Sequence, residues 1–357
     1  MKILYAIQGT GNGHLARAGD VIPQLQKRCT VDLLVSGTQA DVKLRYPVKY
    51  RLHGLSFIFG KKGGVDIMKT LSEANLRLLY REIKSLPVED YDFVINDFEP
   101  VSAWACQQNK VPCIALSHQS ALLSSKVPNP RKIDPLGRAI MKYYAPANYA
   151  IGFHFARYDK NIFTPVIRRE IREMEIEDRG HYTVYLPSYG DKKLIETFSR
   201  FRKVRWHIFS KHSARTFEKD NIIIYPVSLD LFSNSMATSA GVLCGAGFET
   251  PAEALYLGKK LMVIPMEDQI EQHYNAAALR MLGVPVIKKL KPKYDDRIWS
   301  WLEHGESIRI NYPDITASAI HRAIEYYISH HETRRGKITG SERINGKKVY
   351  GKVKEKA

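Results

Sequence analysis

Short apolar runs alternate with amphipathic stretches along the first half of the chain. Such runs are typical of strands buried on both faces of a parallel sheet. They lie at residues 3–7, 31–35, 91–97, 111–118 and 149–155. Stretches of helical periodicity lie at residues 12–28, 71–85 and 99–108. This order of strand, helix and strand predicts an α/β fold with a doubly wound sheet.

The same pattern restarts after a segment at residues 161–169 that carries a proline and charges. Further strands are predicted at residues 181–186, 205–209, 221–225, 240–243 and 259–265. We therefore expect two α/β domains built from βαβ units, 1–165 and 166–331, each with a ligand loop at its strand ends. Residues 332–357 form a glycine-broken basic tail that we expect to be flexible.

A glycine turn in the second domain predicts a phosphate-binding loop. Gly245 and Gly247 let the backbone approach a ligand closely. Thr250 is a good helix N-cap, and Pro251 suits the first helical position. Glu253 falls three residues after that cap, so a simple capping box is an equally good interpretation of this pair.

If the helix starts there, the amides of Phe248, Glu249 and Thr250 point out of its N-terminus. The helix dipole lies behind them, which makes the turn a site for a diphosphate.

The first glycine turn follows the first strand and reads Gly9-Thr-Gly-Asn-Gly-His-Leu-Ala-Arg17. Gly11 and Gly13 fit a ligand-binding turn, but a dinucleotide fingerprint would need glycine where His14 stands. The second strand ends in Ser36, with no acid there to hold a ribose. A nicotinamide cofactor site is therefore disfavoured, and no P-loop lysine follows either turn.

Polar side chains follow three strands whose carboxyl ends we expect at one edge of the sheet, where α/β proteins bind ligands. His14 near a helix N-terminus is expected to stay neutral and to act as a base near pH 7. Asp97 either orients His14 or caps the next helix. His118 and Gln119 follow the next strand, and Lys126 lies in a polar loop beyond them. If the site transfers a group, we expect His118, Gln119 and Lys126 on the side that binds the acceptor substrate.

The amino-acid composition favours some classes of binding partner over others. The chain of 357 residues has a formal net charge of +17, from 54 basic and 37 acidic residues, and this favours anionic ligands or an anionic membrane surface. Nucleic acid is disfavoured because no aromatic-and-basic RNA motif is present. The four cysteines have no metal-site spacing. No apolar run reaches the roughly 18 to 20 residues of a membrane helix. We expect a cytoplasmic location, or a peripheral one on the cytoplasmic face of a membrane.

The two glycine motifs together resemble those of the GT-B glycosyltransferases. The early motif is G-x-G-x-G-H, and the late one is G-x-G-F-E-T-P-x-E followed by G-K and E-Q-x-x-N-A. They are most similar to those of the group that includes the peptidoglycan GlcNAc transferase and the monogalactosyldiacylglycerol synthases. The resemblance covers most of residues 1–330. It implies the GT-B fold, in which two Rossmann-like parallel-sheet domains face each other across a cleft. It also implies an inverting, metal-independent transferase that takes a nucleotide sugar, with UDP as the nucleotide by analogy and no cofactor.

The resemblance also implies roles for individual residues. Glu253 matches a glutamate that binds the ribose, and Val227 lies where the base packs. Glu271 and Gln272 match a polar pair that contacts the donor sugar. His14 matches the catalytic base. The acceptor cannot be carried over, because the segment around Asp97 departs from that of the peptidoglycan enzyme.

Other functions remain open from the sequence. An epimerase or hydrolase of nucleotide sugars on the same fold would need further acids in the cleft. A non-catalytic protein that binds nucleotides or other anions would also suit the charge. The basic excess would suit a lipid-linked or cell-envelope acceptor at an anionic membrane surface, and simple solubility is an equally good interpretation of it.

Overall fold

The computed structural model of the protein describes residues 1–37, 44–55, 75–130 and 135–332. Most of these residues belong to two sheets with helices packed on their faces. The first sheet contains β1 to β7 in the order β3-β2-β1-β4-β5-β6-β7, with parallel pairing throughout. Its strands are β1 (Lys2–Gln8), β2 (Thr30–Ser36), β3 (Tyr50–Leu52), β4 (Phe93–Asp97), β5 (Cys113–Ser117), β6 (Tyr149–Phe153) and β7 (Ile162–Phe163).

The helices that accompany this sheet connect its strands on both faces. They are α1 (Asn12–Gln26), α2 (Leu76–Ser85), α3 (Pro100–Asn109), α4 (His118–Leu122) and α5 (Pro135–Tyr144). Ile3, Tyr5 and Ile7 of β1 belong to the core on one face, whereas Leu4 and Ala6 belong to the core on the other. This burial on both faces explains why the strand is a continuous apolar run.

The second sheet has the order β10-β11-β9-β8-β12-β13, and only the short edge strand β10 is antiparallel. Its strands are β8 (His181–Tyr185), β9 (Arg205–Ser210), β10 (Phe217–Lys219), β11 (Ile222–Pro226), β12 (Gly241–Gly245) and β13 (Lys260–Ile264). The remaining helices are α6 (Arg169–Arg172), α7 (Asp191–Phe198), α8 (Leu229–Ala237), α9 (Glu249–Tyr256), α10 (Ile270–Met281), α11 (Asp295–His304) and α12 (Thr316–Tyr327).

The last described helix, α12, returns to the first sheet. It packs against α1 and β6, and its two consecutive tyrosines stack on aromatic rings of the first half. Tyr327 stacks on Phe93 with ring centroids 4.5 Å apart, and Tyr326 stacks on Tyr149 at 3.9 Å. The end of the described chain thus helps to hold the two halves together.

The prediction of two units with largely parallel sheets is confirmed. The segment predicted as a linker contributes a short strand, Ile162–Phe163, to the edge of the first sheet. The second sheet begins at His181, so the predicted boundary at 165/166 falls between the two sheets and remains a prediction. The predicted basic tail lies outside the described residues, as does the start of the helix predicted at 71–85.

Within the described ranges, no helix combines the length and the apolar character needed to cross a bilayer. The expected peripheral location on a membrane surface remains a proposal.

Candidate active site

A cleft of about 1510 Å³ separates the carboxyl ends of the two sheets. Its first wall comes from the turn after β1, the start of α1 and the residues after β5. Its second wall comes from the turn after β12 and from the segment that joins β13 to α10. Ten residues that the sequence predicted for the site line this cleft: Gly11, Gly13, His14, His118, Gln119, Gly247, Phe248, Glu249, Glu271 and Gln272.

Other predicted residues lie behind or outside the cleft wall. Gly245 is the last residue of β12, and Val227 follows β11. Thr250 is the second residue of α9. Lys126 is exposed, forms an ion pair with Asp159 at 2.9 Å and does not line the cleft.

His14 and Asp97 form the centre of the site. His14 lies in the first turn of α1, whose N-cap is Gly11, and its Nδ1 is 2.9 Å from Oδ1 of Asp97. Asp97 is the last residue of β4 and is fully buried. With Nδ1 donating to Asp97, the Nε2 atom carries a lone pair toward Gln119, whose Nε2 is 3.3 Å away. This arrangement presents a base to the cleft.

Asp97 is not the cap of the following helix. Glu99 has that role in α3, because its carboxylate accepts from the amides of Val101 and Ser102 at 2.8 and 2.7 Å. Of the two functions that the sequence left open for Asp97, the structure therefore favours the orientation of His14.

The pKa of His14 differs from the sequence-based expectation. Burial lowers it, but the Asp97 carboxylate more than offsets this effect and the net pKa is raised. The helix N-terminus alone predicts the opposite direction, and the Asp97 carboxylate, which the sequence already suggested as a partner that orients His14, outweighs it. Burial raises the pKa of Asp97, but Arg17 and His14 reverse this effect, so Asp97 is ionised.

Arg17 is the main site residue that the sequence analysis missed. Its Nη2 donates to both oxygens of Asp97, at 2.7 and 2.9 Å, and its Nη1 donates to Glu249 Oε1 at 2.5 Å. The side chain is almost fully buried. A signal was present, since position 17 lies three residues after His14 and so shares its face of the helix.

The second wall begins with the glycine turn and α9, and the start of this helix corrects one prediction. The helix begins at Glu249, and its N-cap Phe248 makes no side-chain capping bond. Thr250 is therefore inside the first turn and is not the cap. Pro251 is tolerated there, because amides of the first turn have no partner within the helix. The first amide bonded within the helix is that of Ala252, to the Phe248 carbonyl at 3.2 Å.

The amides of Phe248, Glu249 and Thr250 thus still lie at a helix N-terminus. This geometry agrees with the predicted diphosphate loop, although the cap differs. Gly247 has no atom within 4 Å of the position a β-carbon would take, so the turn is open on that side.

Glu253 is part of a buried ion pair. Its two oxygens accept from Nε and Nη2 of Arg168 at 2.6 and 2.8 Å, and Arg168 also donates to Ser233 at 3.1 Å. Glu253 does not reach back to the helix start, so the capping-box interpretation was wrong. In this conformation its carboxylate is bonded to the segment that joins the two sheets and does not line the cleft. Its predicted contact with a ribose remains a prediction.

Several contacts connect the two walls. The ring of His118 stacks on Phe248 with centroids 3.9 Å apart and an interplanar angle of 5°. The His118 ring nitrogens lie 2.7 Å from the Phe153 carbonyl oxygen and 2.7 Å from Asn275 Oδ1. Burial lowers the pKa of His118 to about 4, so the ring is neutral. The structure thus places His118 between the walls as a packing residue, underneath the glycine turn.

Gln119 connects the base to the pair predicted to contact the sugar. Its Nε2 donates to Glu271 Oε2 at 2.9 Å, from the position that also faces His14. Gln272 accepts from the Met266 amide at 3.0 Å and donates to Gln269 at 2.6 Å, which fixes the loop after β13. Glu271 and Gln272 lie at the start of α10, and Glu271 is linked to His14 through Gln119.

No group of three or more His, Cys, Asp or Glu side chains in the described ranges is arranged to hold a metal ion.

A family model described as glycosyl transferase family 1 matches residues 1–303. The chain belongs to glycosyl transferase family 1. The resemblance stated from the motifs is confirmed at this level, and the protein is a glycosyltransferase. No curated protein matches the chain in sequence.

Solved structures with the same fold are distant in sequence. MurG from Acinetobacter baumannii is 15% identical with a TM-score of 0.52, over 90% of this chain and 95% of that chain. Arabidopsis thaliana UGT89C1, complexed with UDP, is 14% identical with a TM-score of 0.56, over 92% and 94%. Phytolacca americana UGT2, complexed with UDP-2fluoro-glucose and pterostilbene, is 12% identical with a TM-score of 0.54, over 95% and 98%.

The buried pair between Arg168 and Glu253 leads to a prediction about the stability of this glycosyltransferase. Arg168→Met leaves a buried carboxylate without its partner, and we expect this to lower the free energy of unfolding by about 3–5 kcal/mol. Urea unfolding followed by circular dichroism measures the loss.

The neighbouring residue provides a matched control. Arg169 forms an exposed pair with Glu173 at 2.7 Å, so Arg169→Met should leave the free energy of unfolding almost unchanged. Equal losses in the two variants would contradict the assignment of the Arg168 pair as a buried structural contact.

Proposed function

We propose that the protein is an inverting glycosyltransferase that transfers a sugar from a UDP-sugar to an acceptor hydroxyl without a metal ion. The observation that carries this proposal is the position of the His14–Asp97 pair, which faces the N-terminus of α9 across one cleft. A base on one wall and a diphosphate site on the other are the two parts that a single displacement at an anomeric carbon needs.

The diphosphate is expected at the amides of Phe248, Glu249 and Thr250. As the bond to the sugar breaks, the diphosphate gains negative charge, and amides already directed there stabilise it without reorganisation. The resemblance to structures solved with UDP and with UDP-2fluoro-glucose supports UDP as the nucleotide. A dispersed leaving-group charge held by amides and a helix dipole does not require a cation.

The sugar is expected beside Glu271 and Gln272, next to His14. In that position, Nε2 of His14 takes the proton from the acceptor hydroxyl as its oxygen attacks the anomeric carbon. The oxygen forms the new glycosidic bond, the bond to the diphosphate breaks, and the proton stays on the imidazole, where Asp97 stabilises the positive charge. Attack from the face opposite the leaving group inverts the configuration.

Donor binding is tested first, by thermal shift with UDP, dTDP, GDP, ADP and NAD, each with and without EDTA. At 100 times its dissociation constant, a ligand adds about 2.7 kcal/mol to stability, and we expect UDP to raise Tm by a few degrees in the presence of EDTA. Gly247→Val should abolish the shift, because a branched side chain would project into the open side of the turn.

Gly190→Val is the matched control. Gly190 also stands before a helix of the second half, also has open space around it, and lies outside the cleft. It should keep the UDP shift. A shift with NAD alone would favour a dehydrogenase, and a loss of the UDP shift with EDTA would contradict a metal-independent donor site.

His14→Gln tests the base. We expect UDP binding to be retained and the rate of UDP release from a UDP-sugar in the presence of acceptor to fall by about 10²–10⁴-fold. The base must be neutral, and its pKa is raised above the usual 6.5, so wild-type turnover should decline as the pH falls through a value above 6.5. A rate that is unchanged in His14→Gln would remove His14 from the mechanism. Release that is independent of any acceptor would instead indicate a hydrolase.

We also propose a lipid-linked acceptor at an anionic membrane surface. The cleft is lined on one side by apolar residues of α5, namely Leu136, Ile140 and Met141, and on the other by Arg280, Lys288 and Arg297. Leu136 and Tyr143 of α5 are both 59% exposed. An apolar face near exposed cations suits a surface of acidic lipids.

Flotation with vesicles tests this part of the proposal. We expect binding to phosphatidylglycerol vesicles, weaker binding at high salt, and little binding to phosphatidylcholine. Leu136→Ser/Tyr143→Ser should reduce flotation several-fold. The control is Leu76→Ser/Tyr80→Ser, which removes side chains of similar exposure from α2. Equal flotation by both double variants would contradict a role for α5.

A further inference from the structure

Arg17 belongs to the first half of the chain, yet it bonds to a carboxylate from each half. Asp97 comes from the end of β4 in the first sheet, and Glu249 is the first residue of α9 after the second sheet's β12. One guanidinium thus connects the residue that orients the base to the residue that begins the diphosphate helix.

The approach of Glu249 to the first half is close. A β-carbon at position 13 would lie 2.5 Å from Glu249 Oε2, so the glycine in the first turn leaves the space that this carboxylate occupies. Arg17 Nη1 donates to the other oxygen of this carboxylate, Oε1, at 2.5 Å. The contact therefore exists only when the two walls of the cleft are as near to each other as they are here.

The charges in this cluster are not balanced. Asp97 and Glu249 contribute two negative charges, Arg17 contributes one positive charge, and neutral His14 contributes none. The closed cluster is therefore one negative charge in excess, which a protonated His14 neutralises. Without Glu249, the remaining pair of Asp97 and Arg17 is already neutral and offers less stabilisation to an imidazolium.

We propose that Arg17 is a positioning residue that couples closure of the cleft to the basicity of His14, through its simultaneous bonds to Asp97 and Glu249. The inference rests on the proposed function and deepens it, since it makes His14 a stronger base while α9, which begins the proposed diphosphate site, is bonded to the first half. The bond from Arg17 also keeps the Glu249 carboxylate away from the amides at the start of α9. At those amides, the carboxylate would repel a diphosphate.

Four charged groups act on His14 from the elements packed around it. Asp97 and Glu249 raise its pKa, and Arg17 lowers it. The fourth is Glu271, at the start of α10, which interacts electrostatically with His14 and reaches it through Gln119. The test must therefore change Glu249 without changing Asp97 or Glu271.

The test measures the pKa of His14 by NMR titration of the imidazole signals in the full-length protein without ligand. The His14 signal is identified by its loss in His14→Gln. Glu249→Gln keeps the size and an acceptor for Arg17 but removes the charge, and we expect it to lower the pKa of His14 by about 0.5–1 unit. The control is Glu267→Gln, which neutralises a cleft carboxylate paired with Lys289 and should leave the pKa unchanged.

A second background tests the role of Arg17 itself. Lysine keeps the charge but cannot hold two carboxylates with one planar fork. In Arg17→Lys, the change of Glu249 to Gln should therefore shift the pKa of His14 by less than it does in the wild-type background. An equal shift in both backgrounds, or no shift in Glu249→Gln alone, would overturn the proposal.

Because this titration needs no donor, its outcome is independent of whether UDP binds. With turnover established, the same variants provide a second readout. Glu249→Gln should move the acidic limb of the kcat/KM profile to lower pH, whereas a purely structural role would lower the rate equally at every pH.

Discussion

The ionised carboxylate of Asp97 is the constraint around which the site is built. A charge buried as completely as this one costs several kcal/mol unless it is paired and hydrogen-bonded. Arg17 supplies that pairing with two bonds, and His14 supplies a third. The requirement fixes the rotamers of both residues on α1, and it therefore decides where the imidazole stands in the cleft. With Nη2 occupied by Asp97, Nη1 of Arg17 bonds to Glu249 on the opposite wall.

The pair between Arg168 and Glu253 applies the same physics at a second position. Here the buried carboxylate comes from α9 and the arginine from the segment between the two sheets. The helix that begins the diphosphate site is thus bonded at its first residue to the first half and at its fifth residue to the connecting segment. Movement of α9 relative to either one must break a charge-assisted bond. If Glu253 is to hold a ribose, Arg168 must release it, and donor binding would then loosen the connection between the halves.

The fold was predictable from sequence because buried parallel strands leave an unmistakable apolar pattern. The runs around Ile3 and Val242 are both completely covered, and the glycine turns follow them directly. Local rules were less reliable at the start of α9. A capping preference for Thr250 is worth only about 1 kcal/mol, and tertiary contacts of Phe248 and Glu249 with the first half outweigh it. Those contacts join residues more than a hundred positions apart, so no local pattern reveals them.

The base at the site, His14, was predictable from the sequence, but the direction of its pKa shift was not. Sequence position placed His14 at a helix N-terminus, which by itself favours the neutral imidazole. The raised pKa depends on the Asp97 carboxylate 2.9 Å away, and that distance follows from the pairing of β1 with β4 in the first sheet. Arg17 was missed for a related reason. Its place on the helix face of His14 was visible in the sequence, but its two carboxylate partners lie far away along the chain.

The two walls of the cleft therefore differ in how they handle negative charge. In the proposed reaction, the amides and the helix dipole of the second wall stabilise the charge that appears on the leaving diphosphate. The first wall holds permanent carboxylates, and these stabilise the positive charge that appears on His14 in the same step. A leaving group that becomes negative and a base that becomes positive are thus each met by a preorganised field of opposite sign. Arg17 and Glu249 lie between the amides of the second wall and the carboxylates of the first. Their bond screens the field of one wall from that of the other. Without that bond, the Glu249 carboxylate would oppose the diphosphate, and the catalytic pair would lose part of the negative field that makes the imidazole a base.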